Sequence, residues 1–381
     1  MAVDHVVVGG GVMGAAAAWQ LARRGREVVL LERFGPGHAR GASHGSSRIY
    51  RTTYASDDYL DLAQEALGLW RELEAESGTD VLRLTGGVSH GLGRSDVGDI
   101  AAAFTARGVP FSWLDPQEAD ERWPGLRFEG PVLFERSTAG RVRADRAVAA
   151  FQAGASLHGA DVRHHAAVRA VQQRGDRVVV DTDDGPIEAG SVVLAAGAWT
   201  SRLLGEQAPP LVVTQEQPAH FAFRPTAAEA DDWPVFTHQP REPHPWPSGT
   251  YGLAVPGEGV KVGFHGVGPV TDPDRRTFEP EPGQLATLRE YVRTWIPGAD
   301  PDHLVPISCT YTTTPDHDFV LDRRGRLVVA AGFSGHGFKF APAVGRLLAD
   351  LATDDDARAA ARFALTRPLL APAPAPAPTR S

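Results

Sequence analysis

The sequence predicts an α/β fold with two domains, one built on a parallel sheet and the other, discontinuous in the chain, built on an antiparallel sheet. The first 33 residues read as strand, glycine turn, helix and strand, a βαβ start. Residues 327–351 return to a strand, a glycine-rich turn and a helix. Residues 215–315 are instead rich in Pro, His and Trp and carry alternating strands such as VKVGFH, which favours a separate substrate-facing domain.

Composition and charge limit the functional classes. A chain of 381 residues with 42% hydrophobic content can bury a large core, and its length suggests two domains or one elaborated domain. The net charge of −9 disfavours nucleic acid or anionic membrane as the main partner. The start of the chain lacks the pattern of a secretory signal and no apolar stretch reaches about 18 residues, so we expect a cytoplasmic protein. The single cysteine, Cys309, cannot form an intrachain disulfide, and the absence of HExxH spacing argues against a metal.

A glycine turn follows the first strand, in the segment VVVGGGVMG. Gly9 permits the tight turn, Gly11 lets backbone approach a pyrophosphate, and Gly14 lets helix and strand pack closely. The start of the helix predicted at residues 13–24 offers free amides and a partial positive charge to phosphates. Glu32 ends the next strand, 18 residues after Gly14, where a carboxylate can accept both ribose hydroxyls. Together these residues predict a Rossmann-type dinucleotide site.

The identity of the dinucleotide is open at this point. Glu32 argues against NADP, because its charge would repel the 2′-phosphate, but the turn serves NAD and FAD equally well. An NAD-dependent dehydrogenase and an FAD-dependent enzyme therefore remain alternatives until other segments decide between them.

The remaining elements follow in chain order. Residues 59–76 carry apolar side chains at three- and four-residue spacings, which predicts a helix with one buried face. Short strands and turns begin at residue 81, and GRVRADRAVAAFQAGA predicts a further helix. The segment VRAVQQRGDRVVVDTDDGPIEAGSVVLAAGAWT predicts a three-strand meander leading into another core strand, and residues 285–294 predict a helix. The tail from residue 371 alternates Ala with Pro and is expected to be extended or disordered.

Five further motifs lie in order along nearly the whole chain. They are GASHGSSRIYR at residues 41–51, VLAAGAWT at 193–200, KVGFH at 261–265, CTYTTTPDHDFVLD at 309–322 and AAGFSGHGFKFAPAVG at 330–345. The set resembles the monomeric sarcosine oxidase family, which includes N-methyltryptophan and pipecolate oxidases. The resemblance implies FAD as the cofactor. We therefore expect a Rossmann-type FAD-binding domain at 1–80, 142–214 and 318–368, a substrate domain at 81–141 and 215–317, and a Pro/Ala-rich tail at 369–381.

The resemblance implies that the flavin is covalently attached. Cys309 falls at the cysteine that forms a thioether with the flavin 8-methyl carbon, a bond that raises the flavin potential and prevents its loss. Lys261 falls at the residue that contacts flavin N5 through water and promotes the reaction of reduced flavin with oxygen, and His265 at a histidine that contacts substrate. A fixed cation at Lys261 would stabilise developing superoxide, which favours an oxidase over a dehydrogenase. From local pattern alone, these three residues read as a small buried side chain, a lysine that snorkels to solvent and a structural histidine.

The resemblance also implies a site for a carboxylate. Arg51 and Lys339 match the family's carboxylate-binding pair, and a planar guanidinium can hold a carboxylate with two parallel hydrogen bonds. His44 and Arg48 match residues near the flavin ring on the face opposite the substrate, where Arg48 would favour the anionic reduced form. The carboxylate-binding pair of Arg51 and Lys339 predicts an α-amino-acid-type substrate.

Two tyrosines complete the implied site. Tyr311 matches an active-site tyrosine beside the linked cysteine and Tyr251 one that lines the substrate pocket, although tyrosine in strands is more often core. The cofactor contacts that we expect are Gly9, Gly11, Val12, Met13, Gly14, Glu32, Arg33, Ser43, His44, Arg48, Val168, Ala196, Gly197, Trp199, Cys309, Gly332, Gly335, Gly337 and Lys339.

These observations predict an FAD-dependent oxidase. It would convert an amino acid or N-alkyl amino acid to an imine and reduce oxygen to hydrogen peroxide, as a monomer without nucleic-acid or membrane partners. The alternative is a flavin dehydrogenase or a biosynthetic oxidase acting on a cyclic imino acid. Residues 240–249, where a lid is expected, and Phe264 in place of a tyrosine depart from the sarcosine oxidase pattern. They argue against transferring sarcosine itself as the substrate.

Overall fold

The computed structural model describes residues 2–91, 93–224 and 233–370. Its helices are α1 (Val12–Arg23), α2 (Asp57–Ser77), α3 (Arg94–Ala106), α4 (Pro116–Arg122), α5 (Ala144–Leu157), α6 (Thr200–Leu204), α7 (Pro282–Trp295) and α8 (Ala341–Thr353). Its strands are β1 (Ala2–Val8), β2 (Val28–Leu31), β3 (Arg48–Tyr50), β4 (Leu82–Arg83), β5 (Gly87–His90), β6 (Ser112–Leu114), β7 (Val132–Glu135), β8 (Gly140–Val142), β9 (Asp161–Arg163), β10 (Val168–Arg174), β11 (Arg177–Thr182), β12 (Gly185–Leu194), β13 (Val212–Glu216), β14 (Ala219–Phe223), β15 (Val235–His238), β16 (Thr250–Val255), β17 (Gly259–Phe264), β18 (Ala299–Pro306), β19 (Cys309–Thr313), β20 (Val320–Arg324) and β21 (Leu327–Ala331). The tail predicted from residue 371 lies outside the described residues.

The first sheet carries the glycine turn. Its strands run in the order β10-β11-β12-β1-β2-β9, and β21, which pairs with β20, also pairs with β12. The strands β9, β2, β1, β12 and β21 are parallel, while β10 and β11 extend β12 as an antiparallel meander. Side chains of β1 alternate between two cores, with Val7 in the core that includes the α1 side chains and Val6 and Val8 in the core beside the meander. The predicted α/β class is confirmed.

The sequence prediction of the meander was wrong in one detail. Its third strand and the following core strand form a single strand, β12, rather than two. Gly190 lies in the middle of that strand, and an ideal Cβ there would come within 2.9 Å of the carbonyl oxygen of Asp4 in β1. Because glycine lets the two backbones approach at this point, β12 continues without a break.

The second sheet is built from two separate parts of the chain. Its strands run in the order β18-β14-β17-β16-β15-β5-β7-β6, all antiparallel except the parallel pair β5 and β15. The strands β5 to β7 lie in residues 87–135 and the others in 219–306. Helix α7 packs Leu288, Tyr291 and Val292 into the core of this sheet. The discontinuous antiparallel layer agrees with the predicted fold class, and the predicted domain bounds remain a prediction.

Two short pairings bring distant motifs to the junction of the sheets. β3, in the 41–51 motif, pairs with β8, and β19, in the 309–322 motif, pairs with β13. Arg48 is the first residue of β3 and Cys309 the first of β19. The junction therefore gathers residues that lie more than 250 positions apart in the sequence.

Candidate cofactor and active site

A cavity of about 1300 Å³ is lined by residues of both sheets. It exceeds the roughly 300–1,000 Å³ of ordinary small-molecule sites, which suits a ligand as long as a dinucleotide. Every predicted site residue except Gly14 lines it. The structure thus brings the predicted residues together, although their roles remain proposals.

The glycines hold strand β1 and helix α1 in close contact. An ideal Cβ on Gly14 would overlap the carbonyl oxygen of Gly9, so Gly14 packs the helix against the turn rather than facing the cavity. A Cβ on Gly9 would lie 2.5 Å from the carbonyl oxygen of Ala195, where the chain leaves β12. The hydroxyl of Ser43 accepts a hydrogen bond from the Val12 amide at 3.0 Å, which caps the start of α1. The Gly9 amide donates to the carbonyl oxygen of Leu31 and the Gly10 amide to the carboxylate of Glu32. The amides that can meet phosphate oxygens are therefore those of Gly11 and Met13, at the start of α1.

Glu32 is fixed at the end of β2. Its carboxylate accepts hydrogen bonds from the Gly10 amide at 2.7 Å and the Phe34 amide at 2.9 Å, and His38 Nε2 lies 3.3 Å away. Burial alone would raise the pKa of this carboxyl, but the hydrogen bonds from His38, Phe34 and Gly10 outweigh it and lower the pKa. Glu32 is therefore an anion that can accept further hydrogen bonds from ribose hydroxyls.

Lys261 lies on β17, where its amine reaches the cavity wall. The side chain is 6% exposed, and Nζ donates to the carbonyl oxygen of Ser47 at 3.3 Å. Burial and the neighbouring guanidinium of Arg48 together lower the pKa of this amine to about 7. Near neutral pH the amine is therefore poised between its charged and neutral forms.

The loop before β3 is braced by Arg48. Its guanidinium donates to the carbonyl oxygens of Ala42 and His44 at 2.8 Å and of Ser47 at 2.7 Å. His44 Nε2 is buried without a hydrogen-bond partner among the described residues. Burial, with the charges of Arg48 and Lys261, lowers the pKa of His44 to about 4, so its ring is neutral. A buried nitrogen of this kind is the orphaned polar atom expected where a polar ligand edge docks.

The start of β19 gathers reactive side chains at the cavity wall. Cys309 is partly buried, and Sγ lies 3.8 Å from the carbonyl oxygen of Thr310. His265 follows the last residue of β17, and its Nδ1 lies 3.4 Å from the hydroxyl of Tyr311. A Cβ on Gly335 would overlap the Tyr311 ring, so the glycine-rich turn packs directly on this tyrosine. The side chain of His265 is accessible from the cavity. Desolvation by the protein around the ring, together with the charges of Arg51, His317 and Lys339, lowers its pKa to about 4.

Tyr251 lies next to Tyr311 in the same wall. Burial raises the pKa of both phenols above the ordinary value. Both tyrosines therefore keep their protons at neutral pH and can donate hydrogen bonds into the cavity.

The predicted carboxylate pair forms one cationic corner. Lys339 is 5% exposed, and its Nζ donates to the hydroxyl of Tyr54 at 2.9 Å and to the carbonyl oxygen of His336 at 2.6 Å. Arg51 Nη1 donates to the carbonyl oxygen of Thr53 at 2.7 Å. Burial and the charge of Arg51 hold the pKa of Lys339 well below its usual value. An arriving carboxylate would relieve both effects.

Sequence reasoning missed the residue that supports this corner. Glu135, at the end of β7, is 1% exposed and accepts hydrogen bonds from the Thr52 amide at 2.9 Å and from the hydroxyls of Thr52 and Thr53. It fixes the backbone on which Arg51 and Tyr54 stand. A carboxylate inside the apolar run PVLFERS was the available signal, but its partners lie more than 80 positions earlier in the chain.

A second missed signal is the lysine content. Lysine occurs at only two positions in the chain, 261 and 339, whereas the other basic residues are arginines. Both lysines are buried, and both line the same cavity. An ammonium changes its pKa readily on burial whereas a guanidinium does not, and burial lowers the pKa of both lysines.

Neither a metal site nor a membrane helix is found where the structure describes the chain. In residues 2–91, 93–224 and 233–370, no group of three or more His, Cys, Asp or Glu side chains is placed to hold a metal ion. None of the helices described there combines the length and apolar character that a membrane crossing requires.

Known proteins are similar to this chain over most of its length. The model of the FAD dependent oxidoreductase family matches residues 4–351. A monomeric sarcosine oxidase of Streptomyces avermitilis is 34% identical over 92% of this chain and 93% of its own length, and the peroxisomal sarcosine oxidase of Homo sapiens is 33% identical over 91% of each. The solved structure of NikD, an unusual amino acid oxidase essential for nikkomycin biosynthesis, is 29% identical with a TM-score of 0.80, covering 95% of this chain and 97% of that chain. The chain therefore belongs to the FAD dependent oxidoreductase family, and within it to the monomeric sarcosine oxidase family.

Proposed function

We propose that this protein is a flavin-dependent oxidase of amino acids or N-alkyl amino acids, which forms an imine and reduces oxygen to hydrogen peroxide. The observation that carries the proposal is the pair of buried lysines in the cofactor cavity, one beside Arg51 and the other beside Arg48. One cationic corner suits a substrate carboxylate, and the other suits the reduction of oxygen.

The residues present fit FAD. The turn at Gly9 and Gly11, the capped start of α1 and the carboxylate of Glu32 would hold the pyrophosphate and ribose. His44, Arg48 and the glycine-rich turn at residues 332–337 would surround the ring system. When bound, the flavin supplies a two-electron acceptor for the substrate and a donor for oxygen.

The substrate carboxylate would bind between Arg51 and Lys339. Because burial and the charge of Arg51 lower the pKa of Lys339, the arriving anion would favour the charged form of Nζ. His265 is neutral above about pH 4, so its imidazole can accept a hydrogen bond from the substrate amine. No strong base is needed if the amine enters in its neutral form.

Lys261 would serve the reaction with oxygen. With a pKa near 7, its amine is charged in part of the molecules at neutral pH and can stabilise the negative charge that develops as oxygen is reduced. This role favours an oxidase over a dehydrogenase. The neutral phenols of Tyr251 and Tyr311 line the cavity beside this wall and can hold water there.

We also propose that Cys309 carries the flavin as a thioether. It is the single cysteine of the chain and lines the cofactor cavity at the start of β19. Denaturation of the yellow protein followed by filtration tests the link directly. Flavin retained with the polypeptide supports it, and free flavin contradicts it.

The alternative is a flavin dehydrogenase or a biosynthetic oxidase of a cyclic imino acid. The similarity to NikD, an amino acid oxidase essential for nikkomycin biosynthesis, favours a biosynthetic oxidase between these two and does not specify the substrate. A panel of N-methyl amino acids, primary amino acids and cyclic imino acids would be mixed anaerobically with the protein while flavin absorbance is followed, and peroxide would then be assayed in air. We expect bleaching by at least one carboxylate-bearing amine and stoichiometric peroxide. Bleaching without peroxide would identify a dehydrogenase, and no bleaching by any amine would contradict the proposal.

A further inference from the structure

Residues 271–278, which we call the strap, lie between β17 and α7 and reach across to the first sheet. Asp274 in the strap accepts hydrogen bonds on Oδ1 from Arg33 Nη1 and from the indole Nε1 of Trp199, each at 2.8 Å. Its second oxygen pairs with Arg202 on α6. Asp274 and its three donors all line the cofactor cavity.

The three donors stand at the end of the cavity marked by Glu32. Arg33 follows Glu32 directly, and its guanidinium lies 5.1 Å from the ring centroid of Phe34. The Phe34 and Trp199 rings are 5.5 Å apart. Because a carboxylate at the end of β2 is where the ribose of a bound dinucleotide lies, this group of side chains surrounds the position of the adenosine.

The strap is attached at a second point. Arg276 is 6% exposed, and its Nη2 donates to the carbonyl oxygen of Ala39 at 2.8 Å. Its guanidinium lies 3.8 Å from the ring centroid of Phe278. The strap is thus fixed both to the loop that follows β2 and to α6, so it has a defined position over this end of the cavity.

One carboxylate that receives three donors differs from an ordinary surface ion pair. Isolated exposed pairs contribute little, because two long side chains must be ordered for one contact. Here Asp274 joins elements that follow two different strands of the first sheet, and each hydrogen bond to its anion is charge-assisted. Neither Arg33 nor Arg202 can then turn away from the cavity without breaking this contact.

We propose that Asp274 is a positioning residue for the cofactor, which closes the adenosine end of the cavity by holding its three donors in place. The second domain would thereby retain the part of FAD that is farthest from the chemistry. Loss of this carboxylate would speed release of the dinucleotide and leave the flavin end unaffected.

The test compares the release of two flavins from the full-length protein. Cys309→Ser makes any covalent flavin exchangeable, and Asp274→Ala is added to this background. We expect FAD to dissociate about tenfold faster from the double variant, as for the loss of hydrogen bonds to a charged group. FMN, which lacks the adenosine, should dissociate from both proteins at the same rate.

A control variant separates this effect from general damage. Asp302→Ala removes a carboxylate that also pairs with two arginines, Arg289 and Arg293, but does not line the cavity, and it should leave FAD release unchanged. Equal FAD release with and without Asp274 would overturn the inference, as would an equal acceleration of FMN. If native Cys309 carries no flavin, the same comparison is made without Cys309→Ser, so failure of the covalent link does not touch this inference.

Discussion

The two ends of the cofactor cavity are built by different means. At the end that carries the glycine turn, backbone amides and glycines from one short segment line the cavity, and close approach of main chains sets the geometry. At the reaction end, buried side chains from segments far apart in the sequence form the site, and desolvation sets their charge. The first end therefore depends on the absence of side-chain atoms, whereas the second depends on titratable groups that are costly to bury.

The largest effect should come from breaking the backbone end. Gly14→Ala would place a methyl group on the carbonyl oxygen of Gly9, and we expect protein without bound flavin that is destabilised by about 3 kcal/mol or more. Gly68→Ala is the matched control, because that glycine lies in α2 with open space around it and should change stability by no more than about 1 kcal/mol. Urea unfolding and flavin content measure both variants. Full flavin loading of Gly14→Ala would show that the turn is more yielding than the structure indicates.

Replacing each of the two lysines by methionine should separate the reduction of the flavin by substrate from its reoxidation by oxygen. Lys261→Met should lower the rate constant for oxygen by about 100-fold or more and leave anaerobic flavin reduction largely intact, since only the developing negative charge loses its partner. Lys339→Met should do the reverse and weaken reduction by carboxylate-bearing substrates. Stopped-flow measurement of flavin reduction and of the reaction with oxygen tests both expectations. An unchanged oxygen rate in Lys261→Met would remove Lys261 from that role.

The charge of Lys261 can be observed directly. With two lysines in the chain, lysine labelled with ¹³C at Cε gives two resonances, and Lys261 should titrate with a midpoint near pH 7. Because the charged form lies below this pKa, the oxygen rate should fall as pH rises, by about tenfold per unit well above pH 7. A midpoint near the ordinary value of about 10.4 would contradict the burial argument.

The smallest effect should come from the support beneath the carboxylate corner. Glu135→Gln keeps the size of the side chain but weakens its hold on the Thr52 amide and the threonine hydroxyls. We expect KM for the substrate to rise by about fivefold to tenfold with little change in kcat, because the loss acts through Arg51. Glu290→Gln, on the exposed side of α7, is the control and should leave KM unchanged. An unaltered KM in Glu135→Gln would mean that the corner does not need this carboxylate.

Features formed by residues close together in the sequence could be predicted, whereas those that depend on distant partners could not. The strand, turn and helix around Gly9 follow from a short motif, and so does the carboxylate at the end of β2. Lys261, Cys309 and Lys339 could be placed only through the ordered motifs that resemble a family. Glu135 and Asp274 escaped prediction, since their roles depend on partners 83 and 241 positions away, as in the Glu135 contact to Thr52 and the Asp274 contact to Arg33.

The scarcity of lysine also has a practical consequence. Acylating reagents and amine-directed cross-linkers react with exposed, neutral amines, yet both lysine side chains of this protein are about 95% buried. Its solvent-facing side-chain cations are arginines, which such reagents leave alone. Immobilisation or fluorescent tagging through lysine would therefore either fail or enter the cofactor cavity, and attachment should use an engineered surface residue instead.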